Sequence, residues 1–233
     1  MFVGLDPMYW VFVGPAILLA LWAQLRIKAA FATYSRVMSS RGMTGAQAAA
    51  RVLDAAGVND VSIERVDGFL SDHYDPRSKT LRLSSNVYAS PSVAAVGVAA
   101  HEAGHAIQHA HNYAPLALRS FMVPLAGFGS NLAIPLIFIG LIMGSIGLVK
   151  AGIVLFGVLV AFQLITLPVE FNASSRAKIA LAQTGVISSR EEMEGVQSVL
   201  GAAAWTYVAA AISSILTLLY YLFRLGLLGG RDD

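Results

Sequence analysis

Residues 101 to 105 read His-Glu-Ala-Gly-His, which places two histidines four positions apart with a glutamate beside the first. On an α-helix, residues four apart lie one turn apart on the same face, so both imidazoles can reach one metal ion. Glu102 would then face water held by that ion and act as a general base. The pattern predicts the core of a zinc peptidase, with His101 and His105 as metal ligands and Glu102 as the catalytic residue.

The third metal ligand has to come from elsewhere, because catalytic zinc sites use three protein ligands. We favour Glu170, the first carboxylate after a long apolar run that crosses a bilayer twice and so returns the chain to the side of the histidines. In a helix that continues from this run, Glu170 and Ser174 would share one face. The alternative interpretation is that Glu170 is an interfacial charge at the end of a span.

His111 is the main rival for the third position. With the first two histidines it reproduces the His-x-x-x-His-x-x-x-x-x-His spacing of metzincins, in which a glycine lets the helix turn back. Here that glycine is replaced by Gln108, which meets a steric penalty in the left-handed conformation. His73 is a weaker candidate. The side chains able to stabilise an oxyanion are Tyr74, His109, His111 and Asn172, and none is singled out.

The composition assigns the chain to a membrane. Of 233 residues, 56% are hydrophobic and only 13% are charged, against about 25% charged residues in soluble domains. The lack of cysteine excludes disulfides, a thiol nucleophile and thiolate metal ligands, so zinc would be held by histidine and carboxylate. The net charge is only +2, and basic residues form no stripe with aromatics. Membrane lipid is therefore an expected partner and nucleic acid is not.

About 20 apolar residues suffice to cross a bilayer, and the chain has four such stretches. The predicted spans are 7–25, 121–147, 151–169 and 201–223, with a tight turn near 147–152 between the second and third. Basic residues cluster after the first span and between the last two. The positive-inside rule places these segments in the cytoplasm, with both termini outside.

Residues 36–111 form the predicted soluble lobe, and 170–194 form a helical segment that carries the third ligand. Thr44 suits the N-cap of a helix that stops at Gly57. Short β-prone stretches between 61 and 83, around a turn at 75–78, predict a small antiparallel sheet. Ser90 as N-cap, with Pro91 at the first helical position, would begin the histidine helix. The predicted fold class is an α-helical membrane protein with a small α+β zincin-like lobe and about four transmembrane helices.

Four stretches together carry a family resemblance. They are 68–77 (Gly-Phe-Leu-Ser-Asp-His-Tyr-Asp-Pro-Arg), 81–84 (Leu-Arg-Leu-Ser), 94–108 (Ala-Ala-Val-Gly-Val-Ala-Ala-His-Glu-Ala-Gly-His-Ala-Ile-Gln) and 168–171 (Pro-Val-Glu-Phe). Over most of its length the chain resembles the bacterial YugP-like neutral zinc metallopeptidases, and more distantly the HtpX and CAAX prenyl proteases.

This resemblance implies zinc as cofactor, His101, His105 and Glu170 as its ligands, and Glu102 as the base. The predicted location is the bacterial inner membrane, which the chain would cross several times, and the positive-inside rule places the active site on the cytoplasmic side. Relatives of this kind are expected to carry an acidic residue at or near position 172 that supports a ligand. The present chain has Asn172 there, which adds no charge.

The function predicted from these features is a membrane zinc metalloendopeptidase that cleaves proteins or peptides near the membrane surface. One alternative is a zinc-binding scaffold or regulator without turnover, although such a site needs no base beside its ligands. Another is an intramembrane protease of the site-2 type, which takes its third ligand from an aspartate within a span, and the apolar spans contain none. A scaffold partner in the same bilayer and a homo-oligomer both stay open.

Overall fold

A computed structural model describes residues 6–68 and 71–226, so Phe69 and Leu70 of the first family stretch lie outside the described residues. The elements in chain order are α1 (Pro7–Tyr34), α2 (Gly45–Ala55), β1 (Ser62–Val66), β2 (His73–Asp75), β3 (Thr80–Ser84), α3 (Ser85–Tyr88), α4 (Val93–Ala110), α5 (Ala114–Ile142), α6 (Ile146–Gln183) and α7 (Arg190–Arg224). Long helices with one small sheet confirm the predicted fold class.

The chain divides into two compact units. The membrane unit comprises the described residues of 1–23, 118–167 and 206–233, and the sheet unit comprises 24–117 and 168–205. Among the described residues, α1, α5, α6 and α7 are long and apolar enough to cross a membrane. Their large exposed side chains, which water would disfavour, suit contact with lipid. Examples are Leu18, Phe121, Phe128, Ile142 and Val154.

The two ends of the membrane unit are joined by a polar cluster. Asp6, just before α1, accepts hydrogen bonds from Tyr220 Oη at 3.0 Å and from the Arg224 guanidinium near the end of α7. The start of α1 and the end of α7 therefore lie on the same side of this unit, as an even number of crossings requires.

The turn between α5 and α6 lies at 143–145, so its predicted position near 147–152 was wrong. Gly144 has φ +65°, the left-handed conformation in which glycine commonly ends a helix. Gly152 lies within α6 and packs on α5 instead. A Cβ at Gly152 would lie 2.7 Å from the carbonyl oxygen of Ala133. This glycine serves close helix packing rather than the turn.

The sheet is mixed rather than antiparallel, which corrects the prediction. The strand order is β1-β3-β2, with β3 antiparallel to β2 and parallel to β1. The turn at 75–78 joins β2 to β3 as predicted, and Asp75 accepts hydrogen bonds there from Arg77 N and Ser78 Oγ. Because β2 occupies one edge of β3, β1 pairs with the other edge. It runs in the same direction as β3.

Helix α4 begins later than predicted, with Ser92 rather than Ser90 as its N-cap. Ser92 Oγ accepts from Ala95 N at 3.3 Å. Two backbone hydrogen bonds of 2.8 Å, Ser39 N to Pro91 O and Val93 N to Val37 O, hold the preceding residues extended. The pairing delays the helix by two residues.

The other predicted cap is confirmed. Thr44 and Gln47 form a reciprocal capping box at the start of α2, and Gly57 takes φ +70° after its end. Helix α2 packs against α4, which is buried along nearly its whole length. The predicted segment 170–194 is helical to Gln183 and again from Arg190.

Candidate metal centre

Helix α4 presents three ionisable side chains in the interior of the sheet unit. His101, Glu102 and His105 are each at most 9% exposed, and the two imidazole centroids lie 4.8 Å apart with nearly perpendicular rings. The helical repeat alone puts the histidines on one face. Apolar neighbours such as Ala99 and Ala103 remove competing water, so these polar groups need partners within the protein.

Helix α6 brings Glu170 to the same point. This carboxylate is 2% exposed, and its Oε2 atom lies 3.2 Å from His101 Nε2 and 3.5 Å from His105 Nε2. The approach depends on Gly104, because a Cβ there would lie 2.6 Å from the carbonyl oxygen of Ala173. The structure therefore brings the preferred third ligand to the predicted pair, through a contact that only a glycine permits.

The other imidazole nitrogens of both histidines are also bonded. His101 Nδ1 lies 3.1 Å from Ser174 Oγ, and His105 Nδ1 lies 3.0 Å from Gln108 Oε1. Such outer contacts orient the ring so that its second nitrogen faces a metal. In both histidines the nitrogen that faces Glu170 is Nε2.

The electrostatics of the cluster favour a cation. Burial lowers the pKa of His105, but its hydrogen bond to Glu170 and the charges of Glu102 and Glu170 outweigh burial and raise that pKa above its ordinary value. The carboxylates of Glu102 and Glu170 therefore favour positive charge at this buried point. A divalent ion would supply that charge.

The donor set and its spacing fit zinc. Two imidazoles and one carboxylate form a common ligand set of catalytic zinc, and tetrahedral bonds of about 2.0–2.1 Å separate ligand atoms by about 3.3 Å. The observed separations of 3.2 and 3.5 Å bracket that value. Among the described residues, His101, His105 and Glu170 are the one group of three whose ligand atoms, all within 4.8 Å, could hold a metal ion.

The rival ligands lie elsewhere. Helix α4 continues through Gln108, and His111 follows its end with Nδ1 3.3 Å from Arg176 Nη1. A guanidinium only donates, so His111 is occupied as an acceptor there. His73 is exposed and bonds to the backbone oxygen of Ser71 at 2.8 Å. Neither belongs to the cluster.

Tyr74 and His109 form a pair, with the tyrosine hydroxyl 2.8 Å from His109 Nδ1. Burial raises the pKa of Tyr74 to about 12, assisted by the charges of Asp60 and Asp75. The hydroxyl is therefore protonated at neutral pH and remains a hydrogen-bond donor. Tyr74 and His109 therefore remain candidates for the stabilisation of an oxyanion.

Two residues that interact with side chains of the histidine helix near the metal centre, Asp72 and Gln108, were not predicted from the sequence. Asp72 accepts hydrogen bonds from Ser84 N at 2.7 Å and from Ser84 Oγ, while burial raises the pKa of Asp72 and the charge of Glu102 raises it further. Gln108 is wholly buried and contacts His105. A polar residue three positions after a ligand on a buried helix was an available signal for Gln108. No such signal indicated Asp72, because its position depends on hydrogen bonds to Ser84 in β3.

Four candidate spans together with a buried pair of histidines and a carboxylate are the features of a membrane zinc peptidase. The family described as "Putative neutral zinc metallopeptidase" matches residues 9–226, and the chain belongs to this family. The predicted family resemblance is thereby confirmed, and zinc is the metal that the family uses.

A particular relative is the "Putative membrane protease YugP" of Bacillus subtilis (strain 168). It is 49% identical over 228 residues, which cover 97% of this chain and 100% of the relative. No solved structure matches the chain. The protein is thus a multi-pass membrane member of a metallopeptidase family.

Proposed function

We propose that the protein is a zinc metalloendopeptidase that cleaves proteins or peptides near the membrane surface. In this proposal His101, His105 and Glu170 hold zinc, and Glu102 is the general base and acid. The observation that carries the proposal is the convergence of two Nε2 atoms and one Oε2 atom, 3.2 and 3.5 Å apart, next to a buried glutamate.

Zinc bound by these residues would polarise a peptide carbonyl and lower the pKa of a water molecule to about 7. Glu102 removes a proton from the attacking water and delivers it to the departing amine, so one carboxylate serves both half-reactions. Glu102 follows His101 directly in the chain, which supports a role beside the proposed ligands rather than as one of them. The low exposure of the surrounding helix limits competing water.

An extended substrate would add to the sheet at β2. This strand is an edge of the three-stranded order, and Tyr74 links it to His109 on the histidine helix. Backbone pairing at a strand edge requires little side-chain specificity. Unstructured loops or tails of other membrane proteins are suitable substrates for this mode.

The proposed location is the bacterial inner membrane, with the centre on the cytoplasmic side. The support is the set of basic residues that follow the predicted spans 7–25 and 151–169. Helix α4 is not one of the four candidate spans of the described chain. That favours cleavage outside the bilayer over an intramembrane mechanism of the site-2 type.

The Glu102→Gln variant tests the proposed function. We expect proteolysis to fall by about 10²–10⁴-fold, the usual contribution of general acid–base catalysis, because an amide cannot accept the proton. Zinc content and helicity should stay at wild-type values, since Glu102 is not a proposed ligand. Cleavage of casein and of a membrane-protein loop peptide by the purified protein in detergent, with and without chelator, gives the measurement.

Glu194→Gln is the control with the same chemical change, because Glu194 is an exposed residue on α7 that pairs with Arg190. It should cleave at the wild-type rate. Unchanged turnover in Glu102→Gln would eliminate the mechanism. A wild-type protein that binds zinc stoichiometrically but shows no chelator-sensitive cleavage of any tested substrate would support the scaffold alternative.

A further inference from the structure

Gln108 is a buried carboxamide whose polar atoms all bond to residues around the metal centre. Its side chain is 0% exposed. Oε1 lies 3.0 Å from His105 Nδ1, while Nε2 lies 2.8 Å from Val169 O and 2.9 Å from Asn172 Oδ1. Leaving any of these groups without a partner at this depth would cost free energy. The complete pairing indicates a specific role.

The directions of these hydrogen bonds can be assigned from groups whose chemistry is fixed. The backbone carbonyl of Val169 can only accept. The guanidinium of Arg176 can only donate, and its Nε atom lies 2.7 Å from Asn172 Oδ1. Both partners of the Gln108 amide nitrogen are therefore acceptors, which settles the orientation of the carboxamide. Its oxygen must face His105.

This orientation fixes the proton of the ligand. Because Gln108 Oε1 can only accept, His105 Nδ1 must carry a hydrogen and donate it. In a neutral imidazole the lone pair then lies on Nε2, the atom 3.5 Å from Glu170 Oε2. A flipped amide would set Oε1 against the Val169 carbonyl and favour the wrong tautomer.

We propose that Gln108 is a positioning residue that holds His105 in its metal-binding tautomer and ties the histidine helix to the backbone beside the third ligand. The inference rests on the proposed function. Val169, which accepts from Gln108, immediately precedes Glu170 in α6, so one side chain controls the orientation of one ligand and the approach of another. Asn172 Oδ1 accepts from both Gln108 Nε2 and Arg176 Nε, so the network extends to Arg176. In this chain the uncharged residue at position 172 serves that network.

Two substitutions of similar size separate positioning from packing. Gln108→Met removes the acceptor for His105 and both donors to α6. Gln108→Glu keeps an acceptor for His105 Nδ1 but loses the donors. Ile107→Met, a change of similar volume at a buried apolar position on the same helix, is the control for core disturbance.

The measurements on the full-length protein in detergent are zinc affinity by chelator competition and detection of the His105 Nδ1–H proton by ¹⁵N-histidine NMR on zinc-loaded protein. We expect Gln108→Met to bind zinc about 10–100-fold more weakly than wild type, the usual cost of losing such a partner. Its Nδ1–H signal should exchange rapidly. Gln108→Glu should keep the protected His105 Nδ1 proton but not the two hydrogen bonds to α6, so its zinc affinity should lie between those of wild type and Gln108→Met. Ile107→Met should match wild type.

Wild-type zinc affinity in Gln108→Met would overturn the inference. So would equal weakening in the Met and Glu variants, accompanied by equal losses of thermal stability in the zinc-free protein, because that pattern would be purely structural. If the wild-type protein itself failed to bind zinc, the proposed function would fail. Zinc binding by the wild type with no response at Gln108 would remove only the role of Gln108.

Discussion

Replacing any one of His101, His105 and Glu170 by alanine is expected to abolish stoichiometric zinc binding and proteolysis together. Each substitution removes one of the three proposed ligands, and catalytic zinc sites use three protein ligands. The loss of zinc affinity should be larger than about 100-fold, the upper end of the loss expected when a hydrogen-bond partner of a ligand is removed. Metal content after dialysis, determined by atomic emission on the purified variants, gives the result.

The discriminating controls are the rival histidines. His111→Ala and His73→Ala should retain one zinc per chain, because His111 accepts from Arg176 and His73 is exposed. In all five variants the side chain is truncated to alanine, so the comparison separates the loss of a zinc ligand from the general loss of a side chain. Full zinc occupancy in Glu170→Ala, or an empty site in His111→Ala, would show that the third ligand has been misassigned.

The second large effect on zinc binding and proteolysis is expected from Gly104→Ala, which adds one methyl group. In Gly104→Ala the new Cβ would meet Ala173 at 2.6 Å from its carbonyl oxygen and 3.2 Å from its carbonyl carbon, and both are backbone atoms. Alanine gains about 1 kcal/mol over glycine in helix propensity. The clash should exceed this gain, since overpacking of a core costs about 1–3 kcal/mol and α6 can relieve it only by moving away.

Such a movement would carry Glu170 with it, because Glu170 and Ala173 lie three residues apart on the same helix. A misplacement of about 1 Å costs about 100-fold in activity. We therefore expect Gly104→Ala to lose zinc affinity and proteolysis while it stays largely helical. Zinc titration, cleavage assays and circular dichroism on one preparation would show this combination.

Gly97→Ala is the matched control two turns earlier on the same helix. A Cβ at Gly97 would lie 3.5 Å from the Val196 side chain, an ordinary contact distance. This variant should be as stable as wild type or more stable by up to about 1 kcal/mol, with unchanged zinc affinity. Equal behaviour of the two alanine variants would mean that the close approach at Gly104 does not control the metal centre.

Features with local causes could be predicted from the amino-acid sequence. The spacing of His101 and His105 defines a pair wherever the segment is helical, because the helical repeat is set by backbone geometry. Thr44 and Gly57 bound α2 through hydrogen bonds and backbone conformation within a few residues. The four membrane helices follow from composition and length alone.

Features that depend on contacts between residues far apart in the chain could not be predicted in this way. The parallel pairing of β1 and β3 and the late start of α4 result from backbone pairing with distant strands or with residues 37–39. The position of Glu170, and not of His111, beside the two histidines is the clearest case. Sequence could list both as chemically able, but only the packing of α6 against Gly104 places one carboxylate oxygen between two imidazoles. The directions of the Gln108 hydrogen bonds likewise follow only from the positions of all three partners, His105, Val169 and Asn172.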